Sequence, residues 1–264
     1  MLINKPIVMC FSGLDPTGGA GIQADIETLF SIGCHCAPIV TCLTVQNSQN
    51  ALSVTATNPA LLVQQARAVL EDMPVQCFKI GLLADVQSVE VLHTLFKDYP
   101  RIPVVLDPVI SAGGGFEFGG HELADALRNL LLPLTTVLTP NTEEIRQLAP
   151  HADTLDACAN ELLDTGCEHI LLTGTHAATT QVENRLYSTH QEVVLYDWPR
   201  LEFNYHGSGC TLAAAVAGYL AHDSDFRAAI QQAQRFTWEA LNHGCRLGFG
   251  QHLPNRSFWN KQKF

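Results

Sequence analysis

Short runs rich in Val, Ile and Leu alternate along this chain with longer stretches of helical period, and that alternation restricts the fold more than any other feature. The strand-like runs are Pro6–Ser12, Pro38–Val45, Cys77–Leu82, Val104–Val109, Thr136–Thr139 and His169–Thr173. Between them Ile22–Ile32, Pro59–Met73, His121–Leu132 and Leu155–Thr165 read as amphipathic helices, the first closed by Gly33. Continuous aliphatic runs suit strands covered on both faces, so the pattern predicts βαβ units and a mainly parallel sheet between two helical layers. Thr179–Tyr187 and Gln191–Trp198 alternate polar and apolar residues instead, which predicts a small antiparallel pair at one edge. Two helical stretches follow, Cys210–Ala221 and Phe226–Cys245. No repeat or linker breaks the pattern, so one α/β domain over residues 1–264 is expected.

Charge narrows the partners. The formal net charge is −11, which repels polyanions at long range and argues against nucleic acid. An anionic substrate would need a local device such as a helix N-terminus or a metal ion. No apolar run approaches the length of a membrane span, and the first thirteen residues lack the basic start and small-residue cleavage site of a signal peptide. The nine cysteines are scattered without a CxxC pair. Cys34 and Cys36 flank His35, but no second pair completes a zinc site. Reduced thiols in a cytoplasmic protein are expected.

Four segments carry candidate chemistry. Asp15-Pro-Thr-Gly-Gly-Ala-Gly-Ile-Gln-Ala-Asp25 follows the first strand and enters a helix. Its Gly19-x-Gly21-x-x-Ala24 formally matches a dinucleotide fingerprint, which raises a nicotinamide or flavin oxidoreductase. The acidic residue expected about 20 positions on is absent, because that region reads Thr44-Val45-Gln46-Asn47-Ser48. Asp25, one turn into the helix, also fits a plain dipole-favoured carboxylate. The second segment ends a strand at Asp107-Pro108-Val109, and the third runs Thr139-Pro140-Asn141-Thr142-Glu143-Glu144. Asp107 and Glu144 are candidates to hold Mg²⁺ through waters, although Asn141 with Glu144 fits an N-cap equally well. The fourth is His206-Gly207-Ser208-Gly209-Cys210-Thr211 before an alanine-rich helix. Its glycines can turn backbone N–H groups toward one anion, and Cys210 would sit where a helix dipole lowers a thiol pKa. An ordinary glycine turn beside a buried cysteine remains the plain alternative. GxxxxGK[ST], HExxH and GxSxG are all missing.

Taken in order, DPTGGAGIQAD (15–25), TCLTVQN (41–47), KIGLL (79–83), LDPV (106–109), TPNTEE (139–144) and HGSGCT (206–211) resemble the hydroxymethylpyrimidine/phosphomethylpyrimidine kinases of thiamine biosynthesis, within the ribokinase-like superfamily. The resemblance implies a three-layer fold without the large lid of sugar kinases, usually as a homodimer. It implies ATP as co-substrate with Mg²⁺, and a monovalent cation as a further candidate. By position, Asp25 and Gln46 correspond to residues bonding the aminopyrimidine, with Gly13, Leu82 and Val109 lining the pocket. Asp107 and Glu144 match the Mg-phosphate region, and Asn141, Thr173 and His206 the ATP side. Gly207, Ser208 and Gly209 match the anion hole, and Cys210 the base acting on the hydroxymethyl oxygen. The family usually has Lys-Gly-Gly-His where this chain reads Thr173-Gly174-Thr175-His176, and often Met at Leu82. Pyridoxal kinase is therefore a near alternative, and a pyrimidine-binding protein without turnover a distant one.

Overall fold

The computed structural model describes residues 5–111, 115–116, 118–174 and 180–260. Thr175, His176 and Thr179, which figured in the motif comparison and in the expected edge strand, lie outside the described residues.

One nine-stranded sheet organises the chain. Its strands are β1 (Ile7–Leu14), β2 (His35–Gln46), β3 (Ala51–Ala56), β4 (Cys77–Ile80), β5 (Val104–Leu106), β6 (Val137–Leu138), β7 (His169–Leu172), β8 (Gln181–Ser188) and β9 (Val194–Pro199). They lie in the order β3-β2-β1-β4-β5-β6-β7-β8-β9. The six from β2 to β7 run parallel, as the aliphatic runs require. β8 and β9 form the expected antiparallel edge, and β3 adds a second one by folding back on β2. Sequence alone predicted only one such edge, because the polar turn Asn47–Asn50 hides the hairpin.

The helices are α1 (Gly21–Ser31), α2 (Pro59–Asp72), α3 (Val86–Asp98), α4 (Gly120–Ala126), α5 (Thr142–Leu148), α6 (Leu155–Leu163), α7 (Ser208–Ala221) and α8 (Phe226–Asn242). α3 and α5 are additional to the helices expected, each capped by the residue before it, Asp85 and Asn141. The stretch His121–Leu132 is not one regular helix: α4 passes into a π-helical turn, Leu127–Leu131, and a 3₁₀ turn containing Pro133. Helices α2 to α6 cover one face of the sheet, and α1, α7 and α8 the other.

Side-chain alternation along the buried strands divides the core in two. Met9, Phe11, Phe78 and Ile80 face the α2–α6 layer, whereas Val8, Cys10, Cys77 and Val105 face α1 and α7. Phe96 on α3 packs with ring centroids 4.8 Å from Phe78 and 5.5 Å from Phe11. Deleting this buried ring removes both transfer energy and packing partners. Phe96→Ala should cost about 3–5 kcal/mol in urea unfolding, with an unchanged m-value.

Candidate active site

The parallel strands leave β1 in opposite directions, so a crevice opens at their carboxyl ends where ligands of open α/β sheets bind. A cavity of about 770 Å³ occupies it. Gly13 and Asp15 reach it from β1, Gln46 from β2 and Leu82 from β4. Asp107 and Val109 follow β5, Asn141 and Glu144 follow β6, and Thr173 follows β7. His206, Gly207, Ser208, Gly209 and Cys210 close the opposite wall. Every site residue expected from the sequence lines this cavity except Asp25.

Asp25, expected at the pyrimidine, is fully buried and set back from the cavity lining. One oxygen lies 2.8 Å from the ammonium of Lys79, and the other accepts from the Ser12 hydroxyl. Lys79 also donates to Ser12 Oγ over 3.0 Å. A lysine in the interior of β4 requires a counter-ion, and α1 supplies it. Burial opposes the Lys79 charge, but Asp25, Cys210 and Asp107 outweigh it and hold the ammonium protonated.

The glycine-rich loop is built around Asp15. Its carboxylate accepts from Thr17 N and Thr17 Oγ1, each at 2.8 Å, from Ala20 N at 2.9 Å and from His206 Nε2 at 2.8 Å. Burial alone would raise this acid, but the bonds from His206, Gln46 and Thr17 prevail and hold it below the usual carboxylate range. Gly21 has φ +60°, and a Cβ there would fall 2.2 Å from Gly13 O. The glycines thus serve a turn wrapped on Asp15, which is what the formal dinucleotide match had picked up. His206, expected on the ATP side, has its Nε2 committed to Asp15.

The second turn stands at the start of α7. Gly207 is its N-cap at φ +81°, leaving the N–H groups of Ser208, Gly209 and Cys210 as first-turn donors without helical partners. A Cβ on Gly209 would lie 3.7 Å from Asp107 Oδ1, so this carboxylate faces the turn. At Cys210 burial works against the dipole-lowered thiol expected from the sequence. Burial pushes the thiol up to about 12, Asp107 adds to this, and Lys79 only partly opposes it. Desolvation outweighs a helix dipole at an enclosed sulfur.

Asp107 and Glu144 are buried acids. Burial raises Asp107 to about 6 despite Lys79, and raises Glu144 well above the carboxylate range, with Asp107 as its next cause. Asn141 caps α5: its side-chain oxygen accepts from Glu143 N and Glu144 N, while Glu144 Oε2 accepts from Asn141 N at 2.8 Å. The plain N-cap reading of Asn141 therefore holds in the geometry. Asp107 Oδ2 is buried with no hydrogen-bond partner among the described residues. An orphaned carboxylate oxygen beside a second acid fits a hard divalent cation such as Mg²⁺. Among the described residues no three His, Cys, Asp or Glu side chains converge as a protein-only cage.

Sequence reasoning missed several residues of the site. Asn184 Nδ2 donates to Gln234 Oε1 at 2.9 Å, and Trp198 Nε1 reaches the same oxygen at 3.1 Å. These three line the far lobe of the cavity, near Thr173. Thr173 Oγ1 points to Pro140 O at 3.4 Å. Lys79 carried a signal, a charged residue inside an aliphatic run. Asn184 and Gln234 carried none, because strand and helix meet only in three dimensions.

Comparison with known proteins follows the same lines. The sequence model of the phosphomethylpyrimidine kinase family matches residues 15–255. A hydroxymethylpyrimidine/phosphomethylpyrimidine kinase of Synechococcus elongatus is 36% identical, over 93% of this chain and 95% of its own length. The chain spans about half the length, 51%, of the bifunctional thiamine-biosynthesis relatives it also matches in Geobacter sulfurreducens and Arabidopsis thaliana. Among solved structures, Bacillus subtilis pyridoxal kinase superposes with a TM-score of 0.89 at 27% identity, covering 97% of this chain and 99% of that one. Clostridium difficile phosphomethylpyrimidine kinase gives 0.78 at 27% identity, covering 90% and 100%.

The buried acids trade stability for chemistry. Asp107 titrates at about 6 in the fold and near 3.9 when unfolded, so its charge costs stability wherever it is ionised. That cost is complete above about pH 6 and vanishes as the pH falls toward 4. Asp107→Asn should therefore raise the melting temperature at pH 8 in metal-free buffer, and the gain should shrink to nothing near pH 4.

Proposed function

Because the chain belongs to the phosphomethylpyrimidine kinase family, we propose that it phosphorylates 4-amino-5-hydroxymethyl-2-methylpyrimidine from ATP and then phosphorylates the monophosphate to the diphosphate. The supporting observation is that one cavity joins a turn rich in N–H donors, two buried carboxylates and a small amide-bearing pocket.

On the acceptor side, Gln46 bonds the Asp15 carboxylate. A carboxylate only accepts, so the Gln46 amide turns its NH₂ toward Asp15 and leaves Oε1 for the exocyclic amine of the ring. Gly13, Leu82 and Val109 supply apolar walls. Lys79 and Asp25 act behind the wall as a fixed charge pair rather than as substrate contacts.

On the donor side, the N–H groups of Ser208, Gly209 and Cys210 stabilise the transferring phosphoryl oxygens. Asp107 and Glu144 would hold Mg²⁺, which supplies charge neutralisation between donor phosphates when bound. The ATP moiety extends past Asn141, Thr173 and His206 toward the lobe walled by Trp198. Cys210 takes the proton of the attacking hydroxyl during transfer. It can do so only as the thiolate, the minor form of a thiol raised to about 12, and the sulfur returns to the thiol as the bond to phosphorus forms. Lys79 favours the thiolate that this step consumes. A monovalent cation beside the phosphates is a further part of the proposal.

The protein is proposed to act in the cytoplasm, supported by nine thiols with no disulfide among them. No helix of the described residues is long and apolar enough to cross a membrane. We place a homodimer contact on the β2–β3 hairpin, where Leu43, Val45 and Leu52 are 53%, 58% and 65% exposed beside an open strand edge. The second reading, a pyridoxal kinase, draws on the TM-score to the Bacillus subtilis enzyme.

Mg-ATP with hydroxymethylpyrimidine should yield monophosphate first and diphosphate later, resolved by anion-exchange chromatography. A higher kcat/KM for pyridoxal would overturn the substrate assignment. Cys210→Ser should lower kcat by about 10²–10⁴-fold with KM for the pyrimidine little changed, because an alkoxide is far harder to form than a thiolate. Wild-type turnover in that variant would remove Cys210 as the base.

A further inference from the structure

The C-terminal segment after α8 folds back along the active-site wall. Cys245 pairs with Leu253, and His252 O accepts from His206 N at 2.9 Å. Ser48, in the turn between β2 and β3, is held by Gly250 N and Gln251 N. The segment then delivers Arg256 into the interior, where it is 2% exposed. Its guanidinium meets partners on three elements. Nη2 donates to Gly19 O in the glycine-rich loop. Nε donates to Thr211 Oγ1 at 2.9 Å, and Thr211 Oγ1 in turn donates to Gly207 O at 2.8 Å. Nη1 reaches Glu27 Oε2 on α1 at 3.1 Å. The Arg256 carbonyl accepts from Ser31 Oγ at 2.6 Å, so the backbone is fixed as well.

These contacts join the two glycine turns from behind. A Cβ on Gly207 would lie 1.9 Å from Gly19 O and 3.0 Å from Arg256 Nη2. The loop that frames the acceptor pocket and the turn that faces the phosphoryl group therefore touch backbone to backbone. A planar fork of donors spans that contact, one arm on each side. Lysine has no such fork and can satisfy one side only. Arg256 lies one residue beyond the stretch matched by the family model.

We infer that Arg256 is a positioning residue for phosphoryl transfer, setting the distance and angle between the Asp15–Gly21 loop and the Gly207–Cys210 turn. The inference rests on the kinase reading above. Arg256 is not among the residues lining the cavity, and it acts through the two backbones it holds. In-line transfer tolerates little misplacement, and a shift of about 1 Å far from the chemistry can cost about 100-fold in rate.

The experiment is steady-state kinetics of wild type, Arg256→Ala and Arg256→Lys, each assayed well below its own melting temperature and corrected for folded fraction by circular dichroism. Wild-type turnover of the pyrimidine with Mg-ATP tests the kinase reading separately. Given that turnover, Arg256→Ala should lose about 100-fold in kcat with KM for ATP within about threefold, and added methylguanidinium should restore part of the loss. Arg256→Lys should lie between the two, since it keeps one arm of the clamp. It also decides the matter if Arg256→Ala does not fold. A folded variant with wild-type kcat, or a lower melting temperature without a kcat change, overturns the inference. So does loss that methylguanidinium leaves untouched in a folded Arg256→Ala.

Discussion

Gly19 O lies so close to Gly207 that no side chain can stand between them. This backbone contact sets the geometry of everything around the cavity. It brings the loop after β1 against the start of α7, although the two are separated by most of the chain. Three features make it affordable. Gly207 takes a positive φ, the Asp15 carboxylate accepts from Thr17 N and Ala20 N in the loop, and Arg256 and Thr211 donate to the carbonyls of Gly19 and Gly207. Each is a hydrogen-bonding solution to burying irregular backbone, which otherwise leaves polar groups unpaired. The cavity between the strand ends and α7 takes its width from that contact.

The electrostatics follow a second constraint. Asp25 and Asp107 are buried near a buried cation, Lys79, and Glu144 is buried close to Asp107. Lys79 pairs with Asp25, while burial leaves Asp107 and Glu144 with raised proton affinity and Asp107 has an oxygen without a partner among the described residues. An excess of buried carboxylate is a poor way to stabilise a fold and a good way to hold a cation with anionic phosphate. Burial, with Asp107 and Asp25 adding to it, lifts the Cys210 thiol. Acid pair, thiol and lysine are therefore one charge system, and a change at any member shifts the others.

Much of this was legible in the sequence. Aliphatic runs gave the parallel strands because such runs cannot be one-sided. The spacing of Asn141 and Glu144 gave the capping box, a purely local device. Glycines before Ser208 gave the turn at α7. The failures have physical causes. The β2–β3 hairpin was obscured by a polar turn and by Ser and Thr along β3. Asp25 could not be separated from a substrate ligand without knowing that Lys79, 54 positions away, points at it. The Cys210 expectation weighed a helix dipole of about 0.3–1 kcal/mol, whereas desolvation depends on how tightly unrelated segments pack around the sulfur. Arg256 sits among polar residues near the end of the sequence, and nothing local marks it as buried.

The clamp also has a consequence in time. Gly19 and Arg256 are 237 residues apart, so the glycine-rich loop leaves the ribosome long before the residue that fixes it. At 5–20 residues per second the interval is roughly 12–47 s. β1, β2 and α1 can pair during that wait, because their contacts are with one another. The loop between them cannot reach its final shape, since the carbonyl of Gly19 still lacks its donor and α7 has not been made. A nascent chain of this kind therefore carries β1, β2 and α1 for most of its synthesis before the two walls of the cavity can meet.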